Sequence, residues 1–413
     1  MMNKIGFQYY QDTEHFQRKD IKRWLPELEA LNASWLLITA PLSRAVPDYF
    51  LCSLIDSGIE PVLQFHPDPS QIPQKEDFQL LFETYARWGV KYVLFYDRPN
   101  MKDFWGTASW SKSDLVERFL DRFIPLAEEA LQWGLRPVFP PLEPGGDYWD
   151  TMFLRASLDG LRRRGSKLLL KRLVLSACAN SQGRHLNWGV GGPERWPQAH
   201  PYDTPEGSED HRGFRVADWY LTLSEAILNE RLPVIMLDLG GESPEDDDPL
   251  QREITMVELL DGREKGQFEA LPEQILCGMF QLVDGGEEQG NDHRGWFHEP
   301  GKPRPVVQAY QELNGEPISK ERKQFRLKHY LLLPTYEWGI ADWHLEVTRS
   351  YIKRYQPTIG FSFQEATRAE EVTVVGGEEH FSEDDLNQLR ARGSIVRRVE
   401  GDGTEIAAQL AAM

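Results

Sequence analysis

The stretch "VKYVLFYDRPN", Val90 to Asn100, sets the architecture. It follows "FQLLFETYARWG", Phe78 to Gly89, whose apolar residues recur at helical spacing and which ends on glycine. A helix stopped by glycine and followed at once by an apolar, aromatic-rich run is one turn of a helix–strand alternation. The same unit recurs along the chain. Strands are expected at "KIGFQYY" (from Lys4), "ASWLLITAP" (from Ala33), "EPVLQFHP" (from Glu60) and "VKYVLFYD" (from Val90). They continue at "LRPVFPPL" (from Leu135), "KRLVLSACA" (from Lys171), "LPVIMLDLG" (from Leu232) and "LCGMFQLVDG" (from Leu276). Gly58 and Gly134 stop helices as Gly89 does. Eight strand–helix units in roughly 310 residues indicate a (β/α)8 TIM barrel. An open doubly wound sheet binding a dinucleotide needs a glycine-rich turn after its first strand, and none follows "KIGFQYY".

After "VVQAYQELNGEP" the pattern restarts on a smaller scale. Strands "KHYLLLP", "PTIGF", "EVTVVGG" and "SIVRRVEG" alternate with helices around Leu345, Glu365, Leu386 and Ile406. The expected organisation is a barrel over residues 1–315 and a small three-layer α/β domain over 324–413, joined in the polar stretch Gly315 to Lys323.

Composition narrows the partners. With 65 acidic against 46 basic residues the formal charge is -19, a field that repels nucleic acid. The dense basic run "LRRRGSKLLLKR", Leu161 to Arg172, reads as the polar side of a helix and its exit loop. Thirteen tryptophans are many for a soluble chain; most read as core aromatics between helices and sheet, and any in excess of core needs can line grooves where flat apolar faces meet sugar rings or bases. Cys52, Cys178 and Cys277 are widely spaced and flanked by apolar residues, so they read as small core residues rather than a disulfide or zinc framework. The N-terminus carries no apolar signal region, and no apolar run approaches a membrane span. A soluble, cytoplasmic chain is expected, or a cell-surface one if a leader has been removed.

Several strand ends together resemble the clan of barrel glycoside hydrolases that includes cellulases, over Lys4 to about Leu313. In that clan strand four ends near Asn-Glu-Pro, whose Glu is the acid/base, and strand seven ends in a Glu nucleophile. The resemblance places Asp97 at the Asn position, Arg98 at the acid/base position and Asp238, in "LPVIMLDLGG", at the nucleophile position. It makes Asn100 of "DRPN", and His66 of "FHP" after strand three, substrate-side residues. "LNWGVGGPERWP", with Trp188, resembles substrate-loop sequence, and "GKPRPVVQAY" resembles the approach to the last barrel helix. The segment "VTVVGGEEHFSEDDLNQLRARGSIVRRVEGDGTEIAAQLA" resembles the bacterial cell-wall binding repeat of type two. A polysaccharide or oligosaccharide partner follows from both.

Cleaving a glycosidic bond needs two carboxyl groups, about 5–5.5 Å apart in retaining enzymes and about 6.5–9.5 Å apart in inverting ones. Asp238 is one methylene shorter than Glu, which widens the gap toward the inverting range. Arg98 cannot serve as an acid, because its guanidinium stays charged; it is expected within hydrogen-bond reach of Asp97 or Asp238 and lowers the pKa of its neighbours. A replacement acid is available in "PPLEPGGDYWD", where Glu143, Asp147 and Asp150 share a Gly- and Pro-shaped loop with the stacking candidates Tyr148 and Trp149. Glu143 is the choice, as the carboxyl expected to lie farther from Arg98. Asp147 either belongs to this site or caps the following helix.

After strand eight, Asp284, Glu287, Asp292 and His293 offer further polar groups, or a solvated rim. His66 either bonds substrate or is a satisfied structural histidine. The run "ESPEDDD", Glu242 to Asp248, lacks fixed ligand spacing and reads as a solvated loop rather than a calcium site. His185, His200 and His211 carry no metal pattern, so neither metal nor cofactor is expected. Three readings stay open: an atypical glycoside hydrolase using Asp238 with Asp97 or Glu143, a non-catalytic carbohydrate-binding protein on a degenerate glycosidase barrel, and a cytoplasmic scaffold that binds another protein, which would need an exposed apolar patch.

Overall fold

The computed structural model describes residues 3–199, 210–240, 248–262, 266–284, 294–314, 327–336, 339 and 341–411. Its contacts divide the chain into two compact units, Met1–Ile318 and Ser319–Met413. The expected joint, and Glu287, Asp292, His293, His200 and residues 242–247 of the acidic run, lie outside the described residues.

The first unit is an eight-stranded parallel sheet with helices around it, a TIM barrel. Its strands are β1 (Ile5–Gln8), β2 (Trp35–Thr39), β3 (Glu60–Phe65), β4 (Tyr92–Phe95), β5 (Arg136–Val138), β6 (Leu175–Cys178), β7 (Val234–Leu239) and β8 (Ile275–Gln281). Each pairs in parallel with its sequence neighbour, and β1 pairs with β8. A single bridge, Val138 to Val174, joins β5 to the start of β6 and closes the ring. Gly58, Gly89 and Gly134 all adopt positive φ, 77°, 85° and 82°, at the helix ends where the sequence reading put them. Glycine alone takes this conformation without steric cost.

Two apolar layers follow from the period of two along each strand. Inward residues Trp35, Leu37, Val62, Tyr92, Leu94, Val138, Ile235, Leu237, Cys277 and Met279 fill the barrel. Their outward neighbours, such as Phe7, Leu36, Leu63, Val93 and Met236, pack on the helices. The basic run differs from expectation in one respect. After Gly165 the chain forms a second short helix, Lys167–Arg172, instead of a plain exit loop. Arg163 and Arg164 pair with Glu117, and Arg162 with Asp159, so three of these charges are neutralised locally. No helix among the described residues is long and apolar enough to cross a membrane.

The second unit is a parallel four-stranded sheet of strands Leu327–Leu332, Thr358–Gly360, Ala369–Val375 and Ile395–Val399, in the order second, first, third, fourth. Helices Asp342–Tyr355, Phe363–Ala366, Glu383–Ala391 and Gly403–Ala411 connect or follow them, and one apolar cluster lies on each face of the sheet. All four strands and helices fall where the sequence reading placed them.

At the floor of the barrel Gly6 admits the Trp35 side chain. A Cβ there would stand 2.7 Å from Trp35 Cβ and 3.2 Å from its carbonyl oxygen. Gly6→Ala should therefore lower stability by about 1–3 kcal/mol with the far-UV spectrum retained. Urea unfolding reads the loss, and a change within error would mean that the floor has slack.

Candidate active site

Two departures from strand alternation build the site. Along β7, Ile235 and Leu237 face inward and Met236 outward, so regular alternation would turn Asp238 toward the helices. Instead four residues on β7, Met236 to Leu239, span three on β8, Gly278 to Phe280, and Asp238 adopts φ 55°. This bulge re-aims Asp238 into the mouth and returns Leu239 to the helix layer. On β4, Tyr96 takes φ 71° and joins Phe95 in the helix layer, which leaves Asp97 and Arg98 to the mouth. Arg98 is itself left-handed, at φ 45°. Non-glycine residues in this region carry strain of about 1–3 kcal/mol each, and such strain collects at functional sites.

Arg98 is the hub. Its Nη2 donates to Asp238 Oδ2 at 2.8 Å, its Nε lies 3.3 Å from Glu143 Oε2, and Asp97 Oδ1 stands 3.9 Å from the same nitrogen. Among the described residues the Nε makes no hydrogen bond, so its contacts to Glu143 and Asp97 are ion pairs without one. Gln8 Nε2 donates to the other Asp238 oxygen at 2.9 Å. Burial in the mouth pushes the Glu143 carboxyl up; Arg98 pulls it partly back, while Asp238, Asp97 and Asp150 add to the rise. Asp97 is also raised by burial, against the pull of Arg98. His66 is open to solvent yet deep in the concave mouth, and desolvation lowers its imidazole. Glu143 lies farther from Arg98 than Asp238 does, as expected, but Asp97 is farther still.

Two cavities share Arg98, Asp238 and Arg294. One, of about 390 Å³, is walled by Gln8, Gln64, His66, Asp97 and Gln281. The other, of about 410 Å³, reaches Glu143, Cys178, Asn180 and Gln182. Both walls are polar, so a ligand here is recognised by hydrogen bonding more than by stacking. Cys178 thus faces the mouth rather than serving only the core, and burial holds its thiol well above the ordinary value.

The remaining expected site residues sit elsewhere. Asn100 is completely buried, and it is a staple rather than a substrate contact. Its Oδ1 accepts from Glu143 N at 2.9 Å, and its Nδ2 donates to the carbonyls of Glu143 and Tyr148, each at 2.9 Å. Tyr148 turns its ring edge to Phe153 and Trp149 packs on His211, and neither lines either mouth cavity. Trp188 donates from Nε1 to Asp210 O at 2.9 Å and packs on Trp196. Asp284 bonds Arg304 at 2.9 Å and His298 at 2.8 Å, outside both cavities. These aromatics are expected as platforms; instead they pack half-buried against the loops.

Asp147 is not a cap either. The helix Asp150–Arg163 starts at Trp149 without a side-chain cap, and Asp147 accepts from Lys102 N at 2.9 Å. Asp248, the last residue of the acidic run, does cap a helix, accepting from Leu250 N at 3.1 Å. Among the described residues no group of three or more His, Cys, Asp or Glu side chains is arranged to hold a metal ion.

Sequence reasoning missed the glutamines. Gln8 and Gln281 end strands "IGFQ" and "ILCGMFQ", and Gln64 is the second-to-last residue of "EPVLQF"; all three are inward positions, and counting by twos would have found them.

Solved structures similar to the chain are barrel glycoside hydrolases. A monomeric beta-xylosidase from Caulobacter crescentus CB15 is 14% identical over 76% of this chain and 68% of its own, with a TM-score of 0.47. A GH5_18 protein from Bifidobacterium longum subsp. longum, solved with Manb1-4GlcNAc, is 11% identical over 96% of this chain and 95% of its own, with a TM-score of 0.45. A GH128 endo-beta-1,3-glucanase from Sorangium cellulosum is 15% identical over 75% and 97%, with a TM-score of 0.42. No family model and no curated protein matches the chain. The likeness is one of fold.

Two titrations test the electrostatics. Arg98 is the charge that pulls Glu143 and Asp97 down, so Arg98→Met should move both carboxyl midpoints upward in a 13C NMR titration. A fall in either midpoint would contradict the hub. Beside the mouth, burial opposes the charge of Asp210, but hydrogen bonds from Arg184 and Arg212 prevail and hold its carboxyl at about 2, against an ordinary 3.8. The folded state therefore binds this proton less readily than the unfolded one. The stability it adds is present above about pH 4 and is lost as pH falls toward 2. Asp210→Asn should cost about 2 kcal/mol at neutral pH and flatten the acid limb of the stability curve.

Proposed function

We propose that the barrel acts on glycosidic bonds of a polysaccharide or cell-wall glycan with an unconventional carboxyl pair. In this reading Glu143 is the acid, Asp238 the charged carboxylate, and Arg98 holds the two in register. The observation that carries it is the meeting of Glu143 and Asp238, from the β5 loop and the β7 bulge, at one guanidinium in unlike environments. Asp238 is bound by two donors, Arg98 and Gln8, whereas burial raises the Glu143 carboxyl. Two carboxyl groups held in unlike environments divide acid and base roles. Asp238 is also one methylene shorter than the Glu that the resemblance puts at its position, which widens the gap between the two. That fits the wider separation, about 6.5–9.5 Å, at which a water attacks and the anomeric configuration inverts. The C-terminal unit, by its resemblance to the cell-wall binding repeat, would hold the chain on an insoluble glycan.

A second reading, glycan binding without turnover, draws on one observation: Arg98 stands where the resemblance puts the acid/base and clamps the residue at the nucleophile position.

A panel of plant and bacterial wall glycans, scored for reducing-end release and for retention, separates the two. The hydrolase reading expects release that falls by about 10²–10⁴ in Asp238→Asn and Glu143→Gln with retention kept, and an inverted first product by NMR. Retention without release by the wild type, weakened by Gln64→Ala, supports the binding reading. Release that persists when Glu143 and Asp238 are both replaced refutes the carboxyl assignment.

A further inference from the structure

A buried acidic bracket lies under the Glu143 turn, and neither proposed role uses it. Asp150 has no solvent exposure, yet it does not cap the helix it begins. Its carboxylate turns back toward the loop after β5. There Oδ1 accepts from Gly145 N at 2.9 Å, both oxygens lie 2.8 Å from His211 Nε2, and Oδ2 accepts from Tyr220 Oη at 2.9 Å. His211 and Tyr220 are themselves buried and come from the segment after β6 and from the helix Val216–Leu228. Burying a carboxylate is unfavourable unless it is paired and fully bonded, and an apolar residue would serve a purely structural core as well or better. What this carboxylate holds is the turn carrying Glu143.

The turn is gripped on its other side by Asn100. A Cβ on Gly146 would stand 2.6 Å from Asn100 Nδ2 and 2.7 Å from Met101 Sδ, so the chain has no room to swing that way. Gly145, at φ 73°, is the residue whose N–H Asp150 takes, two positions from Glu143. With Asn100 on the Glu143 amide and Asp150 on the Gly145 amide, both ends of the bend are pinned.

We propose that Asp150 is the positioning residue of Glu143, itself held by His211 and Tyr220, and that this bracket presents the Glu143 carboxyl to Arg98 and the mouth in a single orientation. The inference rests on reading Glu143 as the working acid. The charge of Asp150 is also among those that raise the Glu143 carboxyl, so removing it has a direct electrical readout.

The test uses the full chain, 13C- and 15N-labelled, with no glycan present. Asp150→Asn keeps the shape and removes the charge; the Glu143 carboxyl midpoint should move downward, and an unmoved midpoint in a folded variant overturns the proposal. If Asp150→Asn fails to fold, Tyr220→Phe retains the charge and removes one bond to it. Exchange of the Gly145 amide should then quicken by about tenfold, and unchanged exchange overturns the proposal equally. These readouts are independent of turnover. A shifted midpoint in a protein that cleaves no glycan would uphold the bracket and fail the hydrolase reading, while cleavage with an unmoved midpoint would do the reverse.

Discussion

The Arg98 guanidinium lies 2.8 Å from Asp238, 3.3 Å from Glu143 and 3.9 Å from Asp97, and the mouth of the barrel is arranged around keeping it there. A group of three carboxylates with no cation among them would repel one another, and burial would drive them to the neutral form. One planar cation reaching all three lets them share a small space. Lysine would not substitute, because a point charge on a flexible stem cannot address separate carboxylates along one rigid plane.

Holding that cation in place requires strain, and the strain is local. Tyr96, Arg98 and Asp238 all have positive φ without being glycine. The surrounding hydrogen bonds over-determine these conformations: Tyr96 N donates to Phe65 O at 2.8 Å and Arg98 N to Pro141 O at 2.9 Å. The bulge in β7 is the counterpart for Asp238. An eight-stranded ring with a packed interior can absorb such irregularities at its rim, since the layer of inward apolar side chains below does not change.

Rigidity then spreads from β4 to the neighbouring loops. Asn100 ties the Asp-Arg-Pro-Asn turn to Glu143 and Tyr148, and Asp147 ties the β5 loop to Lys102. Asp150 links that loop to His211 and Tyr220. Residues that look like substrate contacts in the one-dimensional sequence are here the fixings of the site. The groups facing the cavities are shorter and less conspicuous, chiefly amides at strand ends.

Much of the fold was legible in the sequence because its signals are local. The apolar runs, the helical spacing and the glycine stops at Gly58, Gly89 and Gly134 each depend on a few neighbouring residues, and seven barrel strands fall within the segments they mark while β8 starts one residue earlier, at Ile275. Charge and residue type likewise suffice to say that Arg98 cannot be an acid. What tertiary structure alone decided is which side chains meet. The left-handed turns at Tyr96 and Arg98 and the bulge at Asp238 reverse strand alternation. No propensity of Tyr, Arg or Asp announces this, since the conformation is imposed by hydrogen bonds from adjacent strands. For the same reason Asn100 and Trp188 were misplaced. A polar or aromatic side chain in a loop has many possible partners, and only the packed chain fixes which of them it reaches: the amide of Glu143 for one, the carbonyl of Asp210 for the other.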